Sequence, residues 1–135
     1  MRLLHRAWRA CATVPRSRDW WEFAAAVSAL AAIAAIIGAS TGLLHHAPRD
    51  PGEVALLTLR AFFIPALGEE LIFRAALVPS RAEAPRAGAA IAVSVVLFTA
   101  WHVVETLLLS NSAATFLRPD FLALAALLGL ICALL

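Results

Sequence analysis

Four apolar segments dominate this chain, at residues 20–42, 54–78, 89–109 and 121–135. The first three reach the roughly 20 residues that a helix needs to cross about 30 Å of hydrocarbon, while the fourth offers only about 15. A hydrophobic content of 62% against 15% charged residues, with a mean hydropathy of +0.85, excludes an ordinary soluble domain. The expected fold is all-α, a polytopic transmembrane helical bundle of three full spans plus the start of a fourth. A lipid bilayer is therefore the first partner of the chain.

The basic start raises the question of a cleavable signal peptide. Here the apolar run opens only at Trp20 and lasts about 23 residues, longer than the usual 7–15-residue signal core, so it reads as a retained span. Trp20 and Trp21 would sit at headgroup level. Residues 1–19 then form a basic leader and residues 20–135 a transmembrane domain. Arg2, Arg6, Arg9, Arg16 and Arg18 crowd that leader and Arg81 and Arg86 the 79–86 loop, whereas Arg49 and Arg118 stand alone in the other two loops. This asymmetry makes the N-terminus cytoplasmic. With a net charge of only +2, nucleic acid is not an expected partner. Cys11 and Cys132 lie at opposite ends of the sequence, so neither a disulfide nor a paired metal site is expected.

Two charged features interrupt the apolar pattern and need a physical reason. Gly68-Glu69-Glu70-Leu71-Ile72-Phe73-Arg74 carries two adjacent carboxylates and an arginine inside the second segment. An ionisable group at membrane depth costs a few kcal/mol or more unless a partner, water or chemistry offsets it. Pro65 lies just upstream and should kink or break the helix, leaving backbone groups that need protein or a wet cavity. Glu70 and Arg74, four residues apart, share one helix face and can pair. Glu69, about 100° round the helix, is left free for acid–base work. A purely structural knot of all three charges is the alternative.

His102, within Phe98-Thr99-Ala100-Trp101-His102, supplies the second feature. Glu69 precedes the boundary at Pro79 by about 15 Å of helix, and His102 follows the boundary at Ala89 by about 20 Å. Across an antiparallel hairpin the carboxylate and the imidazole then meet at similar depth. A glutamate and a histidine so placed can activate water by general-base chemistry, or can hold a divalent ion such as zinc that does so. Two ligands do not complete a catalytic zinc site, which keeps three plus water. Glu105, one turn beyond His102, could add a carboxylate or orient the imidazole.

Glu69-Glu70-x-x-x-Arg74 followed by Phe98-x-x-x-His102 resembles the first two motifs of the CPBP intramembrane proteases. That family includes the CAAX prenyl endopeptidases of the Rce1 type and bacterial Abi proteins linked to bacteriocin self-immunity. The resemblance covers about residues 62–135. It implies a helical membrane bundle with a sunken polar site, Glu69 as the water-activating group, His102 as its partner, and Glu70 with Arg74 as the supporting pair. The implied substrate is a membrane-associated peptide or protein, and family mechanisms have been viewed both with and without metal. The family also carries a later histidine followed four residues on by asparagine or aspartate, and no histidine follows His102 here. The chain is accordingly expected to be C-terminally incomplete, the alternative being a shortened homologue with impaired activity. A noncatalytic membrane immunity or scaffold protein retaining the fold, and a small proton-coupled transporter using Glu69 and Glu70, are the readings from other classes.

Overall fold

A computed structural model of the chain describes residues 2–45, 47–80, 83, 87–109 and 113–135. Among these, every regular element is helical: α1 (Arg2–Ala12), α2 (Ser17–Thr41), α3 (Pro51–Ala61), the wide-turned π1 (Phe62–Leu67) and π2 (Glu70–Ala76), α4 (Gly88–Leu109), α5 (Ala113–Phe116) and α6 (Pro119–Leu134). Arg81 and Arg86 of the basic loop, His46 and the Ser110-Asn111-Ser112 stop lie outside the described residues.

Two helices, Ser17–Thr41 and Gly88–Leu108, are long and apolar enough to cross a membrane. Local chemistry fixes their ends. At the start of α2 the Asp19 carboxylate accepts the Arg16 N–H at 2.6 Å, and Arg18 reaches Glu22 one turn on at 2.6 Å. The helix stops at Gly42, whose φ of +67° suits a residue without Cβ.

The second apolar segment departs from the expected single span. It starts at Pro51 rather than Val54, because Asp50 accepts the Gly52 and Glu53 amides at 2.8 and 3.3 Å while Pro51 fills the first helical position. It then breaks where Pro65 predicted. Ile64, immediately before the proline, leaves helical geometry at φ −141°, ψ 103°, as the ring of a following proline demands. The turns on both sides widen to the π type, so this segment is three short helical pieces instead of a third full span.

The basic leader is also more than an orientation signal. Residues 2–12 form α1, which packs on π2, with Arg6 Nε 3.1 Å from Glu83. Elsewhere α4 and α6 form the principal helix pair, α2 packs on α6, and π2 lies against α4. The buried core is small and aromatic: Phe73, Phe98 and Ala125, flanked by Leu77 and Phe121. Large apolar side chains such as Trp21, Ile36, Val96 and Leu107 face outward. An exposed apolar surface this extensive marks a face that meets a membrane or another protein.

Candidate active site

The site grows from the break at Pro65. Widened turns take backbone carbonyls off the regular i→i−4 ladder, and such groups must find partners in an apolar medium. Ser94, fully buried on α4, donates its hydroxyl to the Phe73 carbonyl, which fastens π2 to α4. Glu69 and Glu70 lie at the π1–π2 junction and are therefore held against α4 and α6.

Arg74 is 7% exposed and its guanidinium stacks over the Phe98 ring, 3.9 Å from the centroid. Its nearest carboxylate is Glu70, with Nη1 to Oε1 at 3.7 Å, an ion pair but not a hydrogen bond. None of the three guanidinium nitrogens has a hydrogen-bond partner. Gly129 of α6 makes room for this arrangement: a Cβ there would stand 3.0 Å from Phe98 Cδ1 and 3.2 Å from Arg74 Nη2.

Phe98 also sets His102. The two rings meet edge to face at 4.7 Å, and Phe121 lies 5.6 Å away on another side. His102 Nδ1 is 2.9 Å from the Phe98 carbonyl. A carbonyl only accepts, so Nδ1 carries a proton, and Nε2 is the nitrogen that presents a lone pair in the neutral form of the ring.

Glu69 has one carboxylate oxygen, Oε1, buried without a hydrogen-bond partner. Around it stand the Trp101 indole, in hydrogen-bonding range, and His102, Glu105 and Arg74 within electrostatic reach. The sequence-derived pair Glu69 and His102 thus occupies one neighbourhood, and Glu70 with Arg74 adjoins it across Phe98. Among the described residues no group of three or more His, Cys, Asp or Glu is arranged to hold an ion.

Two cavities flank this cluster. One of about 720 Å³ is lined by Glu70, Arg74, Cys11, Cys132, Ala10 and Leu134. It brings together two free cysteines that are 121 positions apart, which sequence separation concealed. The other, about 400 Å³ and almost wholly apolar, has His102 as a wall together with Leu30, Leu44, Phe121, Leu124 and Leu128.

A Glu-Glu and arginine motif broken off a kinked helix, fastened by α4 to a histidine with Nε2 free, now has a counterpart among known proteins. Residues 51–135 match the family described as type II CAAX prenyl endopeptidase, Rce1-like. The chain belongs to the Rce1-like family. The match takes in the whole broken segment, α4 and α6, and so every residue of the cluster. Comparison with curated proteins and with solved structures gives no match. Membership makes this a membrane protein of the CAAX-protease kind.

Sequence reasoning overlooked Ser94, Trp101, Phe121 and Gly129 as parts of the cluster. One signal was available: Ser94, Phe98, His102 and Thr106 recur every four residues along α4. That stripe is the helix's protein-facing side, with Ser94, Phe98 and Thr106 all buried.

Proposed function

We propose that this Rce1-like chain is an intramembrane endopeptidase in which Glu69 and His102 activate a water for peptide-bond hydrolysis. The observation that carries the reading is the unpartnered, buried Glu69 oxygen beside an imidazole whose tautomer leaves Nε2 available. A water between them would give one proton to Glu69 as its oxygen attacks the scissile carbonyl, while His102 Nε2 accepts its other hydrogen as a hydrogen bond. The C–N bond then breaks, and Glu69 returns the proton to the leaving amine. Glu70 and Arg74 act as supports, and the apolar cleft beside His102 would receive the apolar part of a membrane-tethered peptide or protein substrate.

Glu69→Gln and His102→Ala should each lower cleavage of a membrane-tethered peptide by about 10²–10⁴-fold, the usual worth of a positioned acid–base group. The double variant should be no slower than the slower single one, because groups acting as a unit are not additive. A wild-type chain that leaves every such peptide intact would overturn the enzymatic reading and favour a noncatalytic role. Equal activity in Glu69→Gln and wild type would overturn the assignment of Glu69.

The same reading has the N-terminus and the 79–86 loop on the cytoplasmic side and the loop before Pro51 outside, with the broken segment crossing the bilayer through its three pieces. Single cysteines at Ala47 and Ser80, in a background without Cys11 and Cys132, separate the two orientations. An impermeant thiol reagent on intact cells should label the first and spare the second. The reverse pattern inverts the topology.

A further inference from the structure

α1 is absorbed neither by the catalytic cluster nor by the spans. Its 11 residues rise about 16 Å, half of what is needed to cross the hydrocarbon core. Its sides are sharply divided by spacing. Leu4, Trp8 and Cys11 lie at i, i+4 and i+7 on one side, while His5 and Arg9 lie on another. The flank carrying Arg6 and Ala7 is partly covered, as expected of the side that meets π2, and Arg6 is paired with Glu83. That leaves an apolar side uncovered by the described residues: Leu4 is 79% exposed, Trp8 73% and Leu3 50%.

Two observations identify what covers it. The first is tethering. The connector 13–16 spans at most about 13 Å, and α2 begins beyond it with Trp20 and Trp21 exposed near its first turn. Tryptophans mark the headgroup level, so α1 is held within that layer. The second is charge. The leader, residues 1–19, has five arginines and a single acidic residue, Asp19. Asp19 is already occupied by the Arg16 amide, and Arg9 is exposed with no carboxylate paired to it among the described residues. A helix with an apolar side and a cationic side, tied to the headgroup layer, matches an anionic lipid surface.

We propose that α1 is an interfacial helix seated on an anionic leaflet, with Leu4 and Trp8 in the acyl boundary and Arg9 on lipid phosphates. In that seat α1 also supplies Ala10 and Cys11 to the wall of the cavity that contains Glu70 and Arg74. The leaflet thereby fixes one wall of that cavity. The inference uses no catalytic step and stands or falls apart from the peptidase reading.

The test uses the unsubstituted full chain in nanodiscs of phosphatidylcholine, with and without phosphatidylglycerol. Amide hydrogen exchange over residues 2–12 should be at least about tenfold slower in the anionic discs, and about 1 M salt should erase the difference as the Debye length shrinks to roughly 3 Å. Arg9→Gln should reduce the seated-to-free ratio about fivefold, the worth of one basic side chain near such a surface. Leu4→Glu should abolish the lipid dependence, and brominated acyl chains should quench Trp8 in the Trp20→Phe, Trp21→Phe, Trp101→Phe chain. Equal protection in both lipids, whether high or low, overturns the proposal. Protection lost when discs hold one chain each also overturns it, because a second copy would then be the cover.

Discussion

Arg118 caps the start of α6 and Arg74 packs against Gly129 within it, and their surroundings are opposite. Arg118 directs Nε to Asp120 Oδ1 at 3.0 Å and Nη2 to Asp120 Oδ2 at 2.7 Å, and Nη2 also donates to the Thr41 carbonyl at 2.7 Å. It joins the last turn of α2 to the first turn of α6 with its Nε and Nη2 donors used and about a third of its side chain in solvent. Arg74 is buried, lies on an aromatic face, and its guanidinium makes no hydrogen bond. A charge satisfied in this way is architecture. A buried charge left with donors unused costs several kcal/mol, and a fold keeps one only where the surrounding packing holds it in place. Phe98, Gly129 and Glu70 are what hold Arg74, and the same Phe98 orients His102. The difference separates a helix clamp from a support of the proposed catalytic cluster.

The largest effect should therefore come from breaking the Arg74 pair. Removing one member of a buried ion pair typically costs 3–5 kcal/mol, because the other charge is left uncompensated. Glu70 is 42% exposed toward the cavity, so solvent screens part of that cost, and about 2–3 kcal/mol is expected for Glu70→Gln. Arg74→Ala adds the loss of contacts with Phe98 and should fall in the full range. Thermal unfolding in detergent micelles measures both, with Glu69→Gln as the control that leaves stability nearly unchanged. If Glu69→Gln unfolded the protein and Arg74→Ala did not, the structural and chemical roles in this motif would be exchanged.

A smaller effect is expected at Gly129. A methyl group added there meets Phe98 and Arg74 at 3.0 and 3.2 Å, closer than such contacts normally stand. Inserting one methyl into a packed site costs about 1–3 kcal/mol. Gly129→Ala should lower the unfolding midpoint, and peptide cleavage should fall further than Arg118→Ala makes it fall, since only the former displaces the ring under His102. Equal losses in the two variants would show that Phe98 does not couple Arg74 to His102.

Much of this arrangement was legible from composition and spacing. Apolar length gave α2 and α4 within a few residues, and Pro65 gave the break, because a missing N–H and a ring clash act locally whatever the tertiary context. The four-residue step from Glu70 to Arg74 gave the pair. The break's consequence was not legible: residues on both sides adopt wide turns, and no sequence pattern states that Ser94 will take up the Phe73 carbonyl. α1 was hidden by attention to its charge, although Leu3, Leu4, Ala7, Trp8 and Cys11 already have helical spacing. The convergence of Cys11 with Cys132 was beyond reach, since it depends on α1 folding back over π2, a long-range contact.

The smallest effect belongs to the satisfied arginine, and its pH dependence can be signed. Asp120 lies just outside the apolar run that opens at Phe121. Hydrogen bonding from Arg118, then from the Thr41 side chain, holds its carboxyl well below the usual carboxylate range. A carboxyl depressed on folding stabilises the fold above its unfolded value of about 3.9 and loses that contribution as the pH falls through the folded value. Asp120→Asn should therefore reduce stability at neutral pH only slightly, less than either change at the Arg74 pair. The gap between Asp120→Asn and wild type should narrow as the pH is lowered below about 4. Unfolding midpoints of both proteins across that range would read it, with Arg118→Ala following the same course. A gap that stayed constant into strong acid would mean that Asp120 acts through its shape and not its charge. Arg118 and Arg74 would then differ in degree of burial alone.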